Sequence, residues 1–196
     1  MALKTKVKVG KITNLSDARY CAGMGVDFLG FPIGSTHGID PKKYKEITDW
    51  VSGPAFVVEW SHDTIRDIEK VANTYNADFV ELSVQQLQFA GGLIKPLIIR
   101  LTEEDLDQYS DELQKNKSRI AYLMLLKSKS STSSFPRTEI RGFPILLSFS
   151  DFNYSITEIL ELPIAGIALT GSEEDRPGLK EYGHLAEVLE ALEEVD

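Results

Sequence analysis

Short apolar runs recur at regular intervals along the chain, and polar segments separate them. Most of these runs are nearly continuous in Val, Ile, Leu and Phe, as in residues 56–58 and 97–99. Such continuity is typical of strands that are covered on both faces, as in a parallel sheet. The predicted strands span residues 5–10, 27–31, 55–60, 78–83, 96–101, 120–126, 144–149 and 164–169.

Helical patterns lie between most of the predicted strands. Asp40 precedes Pro41, which places an N-cap before a proline at the first helical position. Ser155 and Glu158 have the spacing of a capping box. The predicted helices cover residues 17–25, 42–51, 63–75, 103–113, 155–160 and a last segment from about 179 onward.

Strands that alternate with helices predict βαβ units, and eight such units favour a closed (β/α)8 TIM barrel. We expect residues 1–196 to form one domain of this class. An open doubly wound sheet is the alternative, but the Gly-rich fingerprint after its first strand is missing.

Residues 127–134 are polar and Ser-rich, and no helical period follows up to 142. This predicts a degenerate sixth helix and a loop (128–134) that either closes over a ligand or only connects.

The charge balance narrows the classes of partner. The chain has 21 Lys and Arg against 30 Asp and Glu, a net charge of −9, which disfavours binding to nucleic acid. A pocket can still hold a small phosphorylated ligand through backbone N–H groups.

The single cysteine excludes an internal disulfide. No apolar run reaches membrane-spanning length and residues 1–6 lack a signal core, so we expect a cytoplasmic protein, either monomer or homodimer.

Several short runs match a known family in their order and spacing over nearly the whole chain. The first run consists of Lys8 and the Ile-Thr-Asn sequence at residues 12–14. Another run is Pro-Gly-Leu-Lys-Glu at residues 177–181. The remaining runs are residues 25–31, 40–41, 78–82 and 166–174. Together they resemble the phosphoribosylanthranilate isomerases of tryptophan biosynthesis, which implies a TIM barrel and an Amadori-type conversion of an aldose to a ketose.

The resemblance also implies two proton-transfer residues that this chain lacks. It implies a cysteine at the end of strand one as general base and an aspartate at strand eight as general acid. Gly10 and Ala168 stand at these positions, and neither side chain can titrate. Each proton transfer typically contributes about 10²- to 10⁴-fold to the rate. We therefore expect a pseudoenzyme without the isomerase activity.

The ligand-binding positions implied by the resemblance are altered too. Its Gly-Gly turn after strand seven appears here as Phe149-Ser150, and the turn after strand six becomes the Ser-rich loop. An arginine after strand two aligns with His37, and a glutamine and a histidine on strand four align with Glu81 and Ser83. Arg100, which lies at the end of the fifth predicted strand, is a further candidate at the barrel rim. The candidate ligand-binding residues are thus His37, Arg100, Thr170, Gly171 and Ser172.

Charged residues near the predicted strand ends supply other candidates. Lys8 lies two residues before Gly10 on the same strand, so its side chain should be on the same face and point into the barrel. A buried lysine needs a carboxylate partner, such as Glu81. The pair is either a structural ion pair or an acid–base couple with perturbed pKa values. Glu59, with His62 nearby, is a further candidate for proton chemistry. Arg100 meets either an anion or a rim carboxylate.

The catalytic candidates are thus Lys8, Glu59 and Glu81, and no spacing of His, Cys, Asp and Glu predicts a metal or cofactor. Four functions remain open at this point. The first is an isomerase-like barrel that has lost its activity and binds a small anionic or phosphorylated ligand. The others are a different reaction in the same pocket, a non-catalytic interaction protein, and an active isomerase that uses substituted residues.

Overall fold

The computed structural model describes residues 2–34, 38–60, 68–128, 140, 142–151, 154–171 and 183–194. Within these ranges, eight parallel strands close into a barrel whose strand order follows the sequence. The barrel closes where the first strand pairs with the eighth, Lys8 lying opposite Ala168. The strands are β1 Lys6–Gly10, β2 Phe28–Ile33, β3 Ala55–Trp60, β4 Phe79–Ser83, β5 Leu97–Thr102, β6 Ile120–Leu126, β7 Ile145–Ser148 and β8 Gly166–Thr170.

The closed barrel confirms the predicted (β/α)8 class and rules out the open sheet. The bounds of β3 and β6 match the prediction, while β2 runs two residues further, to Ile33. The helices are α1 Leu15–Gly23, α2 Pro41–Thr48, α3 Ile68–Ala72, α4 Glu103–Gln108, α5 Ser110–Lys115, α6 Ile156–Leu160 and α7 Gly183–Ala191.

Local capping chemistry explains where several helices begin. The Asp40 side chain accepts a hydrogen bond from the Lys43 N–H over 2.8 Å at the start of α2. Ser155 and Glu158 form the predicted capping box of α6, with both reciprocal hydrogen bonds present. These contacts satisfy backbone N–H groups that have no partner within the helix.

Two helical segments differ from the prediction. The helix predicted at 103–113 is broken at Tyr109 into α4 and α5. Leu106 and Leu113 are both buried, so the apolar spacing survives the break and the pattern could not reveal it. The segment Val84–Phe89, for which no helix was predicted, forms a 3-10 helix.

Parts of three other predicted segments lie outside the described residues. These parts are the start of the helix predicted at 63–75, the loop and degenerate sixth helix at 129–139, and residues 179–182 of the last helix. The described residues that flank the sixth-helix region, 127–128, 140 and 142–144, are not helical. The degenerate sixth helix therefore stays a prediction.

The barrel interior changes from apolar to charged along its axis. Near the N-terminal ends of the strands, the Phe28 ring meets the rings of Phe79 and Tyr122 edge-on, at centroid distances of 5.6 and 5.4 Å. Side chains two residues further along the strands have the same parity and also point inward, and these include Glu59 and Glu81. Charged groups thus gather at the C-terminal end of the barrel.

The described residues bear on three expectations drawn from composition. Cys21 is fully buried on α1, which fits packing rather than reactivity. Among the described residues, no cluster of His, Cys, Asp and Glu has the arrangement of a metal site. None of the described helices is both long and apolar enough to cross a bilayer.

Candidate functional site

A cavity of about 280 Å³ opens at the C-terminal end of the barrel. Its floor carries charged side chains, its wall on β6 and β8 is apolar, and its rim includes Lys11 and Asp151. The floor residues are Lys8, Glu59, Glu81 and Arg100. In TIM barrels, this face of the sheet is where ligands bind and chemistry takes place.

The Lys8 ammonium group lies between two buried carboxylates. Its Nζ is 2.7 Å from Glu81 Oε2 and also forms a salt bridge with Glu59. The parallel pairing of β3 with β4 sets Glu59 directly beside Glu81, so two acids on neighbouring strands share one ammonium group. The predicted pairing of Lys8 with Glu81 is therefore present, and Glu59 is a second partner.

Arg100 reaches the same cluster from β5. Its Nε lies 3.1 Å from Glu81 Oε1, although the N–H does not point at that oxygen, so this contact is ionic rather than a directed hydrogen bond. Its Nη2 donates to the Trp60 carbonyl oxygen over 2.8 Å. The side chain is 29% exposed and lines the cavity. Arg100 thus forms the rim salt bridge and still presents part of its guanidinium to the cavity.

Glu59 is held in place by a backbone turn at the end of β1. Lys11 has a φ of 57°, in the left-handed region that non-glycine residues rarely adopt. The Lys11 N–H donates to Glu59 Oε2 over 3.0 Å. The Glu59 carboxylate is therefore fixed by the Lys8 ammonium group on one oxygen and by a backbone donor on the other.

Two glycines make room for the Glu59 carboxylate. A Cβ at Gly10 would lie 2.5 Å from Glu59 Oε1, and one at Gly30 would lie 2.0 Å from the same oxygen. Real Cβ atoms essentially never approach a neighbour so closely. The absence of a side chain at Gly10 is thus a packing requirement of this site: the carboxylate takes the space in which a side chain at that position would begin.

Burial and neighbouring charge push the pKa values of the cluster apart. Burial lowers the pKa of Lys8, but Glu59 and Glu81 together outweigh it and raise that pKa to about 12. Burial raises the pKa of Glu59, but Lys8 and the Lys11 N–H more than offset this and leave it lowered. For Glu81, burial and the nearby Glu59 carboxylate raise the pKa by more than Lys8 and Arg100 lower it, so its pKa is raised. Glu81 is therefore the carboxylate that takes up a proton first.

The raised pKa of Lys8 predicts a loss of stability in alkali. A raised pKa means that the ammonium group stabilises the fold fully below its ordinary value of 10.5, and that this contribution disappears as pH rises through about 12. The loss amounts to about 2 kcal/mol of the free energy of unfolding. It can be measured by urea unfolding at a series of pH values from 10 to 12.

Buried tyrosines also make the stability fall over this pH range, because they ionise in the unfolded chain before they ionise in the fold, so this experiment needs a matched control. Burial raises the pKa of Tyr44, which also destabilises the fold in alkali. The double variant Lys8→Met/Glu81→Gln keeps Tyr44 and lacks the ammonium group, and its stability should fall less steeply with pH. Equal slopes for the two proteins would show that Lys8 does not have the raised pKa.

The structure brings some of the remaining candidates to the cavity. Ala168 and Thr170 line it, buried and exposed respectively. Gly171 follows them, but its N–H donates to the Gly10 carbonyl oxygen over 2.8 Å and is used within the barrel. His37, His62 and Ser172 lie outside the described residues.

Several cavity residues were not among the sequence candidates. Met124, Leu126 and Ser148 line the wall, and Lys11 and Asp151 lie at the rim. The first three share the inward parity of Tyr122 and Leu146, so counting alternate residues along β6 and β7 could have found them. Nothing in the sequence marks the two rim residues, because their placement depends on how the chain leaves the strands.

Comparisons with known proteins place the architecture among solved structures. No protein-family profile and no curated protein matches the chain. The phosphoribosyl anthranilate isomerase from Thermus thermophilus has a TM-score of 0.68 at 20% identity, over 95% of this chain and 98% of that one. TrpF from Jonesia denitrificans has a TM-score of 0.68 at 16% identity, over 96% of both chains.

A third similar structure contains a ligand. It is a phosphoribosyl anthranilate isomerase in complex with reduced 1-(o-carboxyphenylamino)-1-deoxyribulose 5-phosphate, with a TM-score of 0.66 at 17% identity. The alignment covers 95% of this chain and 97% of that one. Identities this low establish the architecture and leave activity open. The chain has the (β/α)8 fold of the phosphoribosylanthranilate isomerases.

Proposed function

We propose that this chain is a divergent member of the phosphoribosylanthranilate isomerase family that lacks the isomerase activity and binds a small anionic molecule in its barrel cavity. The shared fold over nearly the whole chain and the matched motifs support the family assignment. The observation that carries the proposal is the Glu59 carboxylate, which fills the space beside Gly10 where the family's cysteine would project.

The substitution at Gly10 removes a base, and Glu59 does not replace it. A general base must be within hydrogen-bond reach of the proton that it abstracts and must have an accessible, basic atom. Glu59 is 6% exposed, with one oxygen paired to Lys8 and the other bound to the Lys11 N–H. Its lowered pKa weakens it further as a base. The cavity floor therefore favours binding over the family's proton transfer.

The same floor supports anion binding. Arg100 presents part of its guanidinium to the cavity, and Lys11 adds a second cation at the rim. A small molecule in this cavity fits the acidic surface better than nucleic acid, since a net charge of −9 repels polyanions. We propose a cytoplasmic role, in line with biosynthetic enzymes of this fold.

A growth test addresses the loss of activity. A tryptophan auxotroph that lacks its own phosphoribosylanthranilate isomerase should not grow on minimal medium when it expresses this chain. Gly10→Cys should not restore growth either, because the new Cβ would collide with Glu59. The isomerase from Thermus thermophilus serves as the positive control. Growth that depends on the wild-type chain would overturn the proposal.

A second candidate function is a different proton-transfer reaction in the same cavity. The favouring observation is the pair of carboxylates Glu59 and Glu81, whose pKa values are pushed in opposite directions, as in many acid–base couples. Its mark would be a metabolite retained by the purified protein whose turnover stops in Glu81→Gln. A broad metabolite screen that finds no turnover would count against this candidate.

A further inference from the structure

Arg100 keeps one end of its guanidinium available to a ligand. Its Nε faces Glu81 and its Nη2 donates to the Trp60 carbonyl oxygen. Its Nη1 has no acceptor in the described part of the chain, and the side chain, which is 29% exposed, lines the cavity. Because two protein contacts already fix the side chain, little rotamer entropy remains to be lost on binding. Arg100 is therefore a preorganised donor for an oxyanion.

Ser148 supplies a second polar group. It ends β7 and is 8% exposed, yet its hydroxyl has no hydrogen-bond partner within the described residues. Because Ser148 lines the cavity and makes no hydrogen bond to the described residues, its hydroxyl is available to a ligand atom. The hydroxyl can donate to a carboxylate or accept from a ligand hydroxyl.

The wall between these two groups is apolar. Met124 and Leu126 point inward from β6, the strand between those that carry Arg100 and Ser148. Ala168 continues this surface from β8. A ligand that reaches Arg100 thus lies against methyl and methylene groups, and burying its own apolar part against them is favourable.

The charges around the cavity suit a monoanion better than a phosphate dianion. The cations Lys8, Lys11 and Arg100 are matched by the carboxylates of Glu59, Glu81 and Asp151. A dianion would bring two negative charges to this balanced lining. The Gly171 N–H, a backbone donor that could otherwise bind a phosphate oxygen, is already bound to the Gly10 carbonyl oxygen.

From this arrangement we infer that the cavity binds a small monocarboxylate with an apolar tail, its carboxylate on Arg100 and Ser148 and its tail against Met124 and Leu126. The inference rests on the proposed anion-binding function and names the class of ligand. The cavity of about 280 Å³ limits the ligand to a small organic acid. None of the four residues that define the ligand class stands at the proton-transfer positions implied by the family resemblance, Gly10 and Ala168.

Titration of the purified protein with acetate, butyrate, hexanoate and inorganic phosphate tests this assignment. Chemical shifts in NMR spectra report the dissociation constant and the site of each probe. Butyrate and hexanoate should bind, and affinity should rise about fourfold for each methylene that is buried. Inorganic phosphate should bind at least about tenfold more weakly than hexanoate, since it has no apolar tail.

Variants locate the binding groups. Arg100→Met should weaken hexanoate binding by about 10- to 100-fold, the usual worth of a hydrogen bond to a charged group. Ser148→Ala should weaken it several-fold. Arg100→Lys keeps the charge beside Glu81 but lacks the planar fork, and it should bind almost as weakly as Arg100→Met. Arg19→Met, on the exposed face of α1, is the matched control and should bind like the wild type.

Each outcome decides between the claims. Phosphate binding as tight as that of hexanoate would overturn the carboxylate assignment and keep an anion-binding cavity. Equal binding by the wild type and Arg100→Lys would overturn the role of Arg100, a result that holds even if Arg100→Met does not fold. No shift with any probe would overturn the inference. Isomerase turnover, measured separately, would overturn the proposed function instead.

Discussion

Lys8→Met is expected to lower the free energy of unfolding by about 3–5 kcal/mol, the usual cost of removing one partner from a buried ion pair. The substitution would leave Glu59 and Glu81, 6% and 2% exposed, next to each other without the ammonium group between them. Arg100 offsets only part of the repulsion, since its Nε–H does not point at Glu81. Urea unfolding at neutral pH measures the change.

Lys6→Met is the matched control for this prediction. Lys6 lies on the same strand, is half exposed and makes a 3.5 Å salt bridge with Asp27. Exposed pairs contribute about 0–1 kcal/mol, so this variant should be nearly as stable as the wild type. The triple variant Lys8→Met/Glu59→Gln/Glu81→Gln should recover much of the loss, because no unpaired charge remains. A loss below 1 kcal/mol in Lys8→Met would contradict a charged, tightly paired cluster.

Gly10→Ala is expected to destabilise the protein by about 1–3 kcal/mol, the usual cost of overpacking a filled site. The new Cβ would lie 2.5 Å from Glu59 Oε1 and 3.2 Å from Lys8 Nζ, so the carboxylate would have to leave its bonds to Lys8 and the Lys11 N–H. Thermal and urea unfolding report the change. Gly23→Ala, where a Cβ meets nothing within 4 Å, is the control and should be neutral or slightly stabilising.

A double-mutant cycle separates steric conflict from a general loss of glycine flexibility. In a Glu59→Ala background the carboxylate is gone, so adding Gly10→Ala should cost much less than it does in the wild type. An equal cost in both backgrounds would mean that Glu59 does not occupy the space beside Gly10. That result would remove the main structural support for a lost base position.

Much of the fold followed from local pattern, because parallel strands that are buried on both faces must be apolar along their length. The alternation of side chains along β1 was enough to predict that Lys8 points inward and needs a carboxylate. Glu59 was a catalytic candidate, but its pairing with Lys8 was not predicted. It depends on the register of β3 against β4, which sets Glu59 beside Glu81 and is not readable from either strand alone.

Why position 10 must be a glycine also could not be predicted from the sequence. As a sequence feature, Gly10 marks only the absence of a titratable side chain where the family resemblance implies a cysteine. The structure adds that the position is filled, because Glu59 crosses from β3 and binds the Lys11 N–H in the following turn. Tertiary contacts between β1 and β3 cannot be predicted from the local pattern of either strand.

The most direct test of the central claim is an isomerase assay on the purified protein. Freshly generated phosphoribosylanthranilate is added, and the loss of its fluorescence is followed at high protein concentration. We predict no turnover above the uncatalysed rate, because neither Gly10 nor Ala168 can move a proton and Glu59 is held by Lys8 and the Lys11 N–H. Turnover that disappears in Glu59→Gln or Glu81→Gln would contradict the account and show that these carboxylates have taken over the proton transfers.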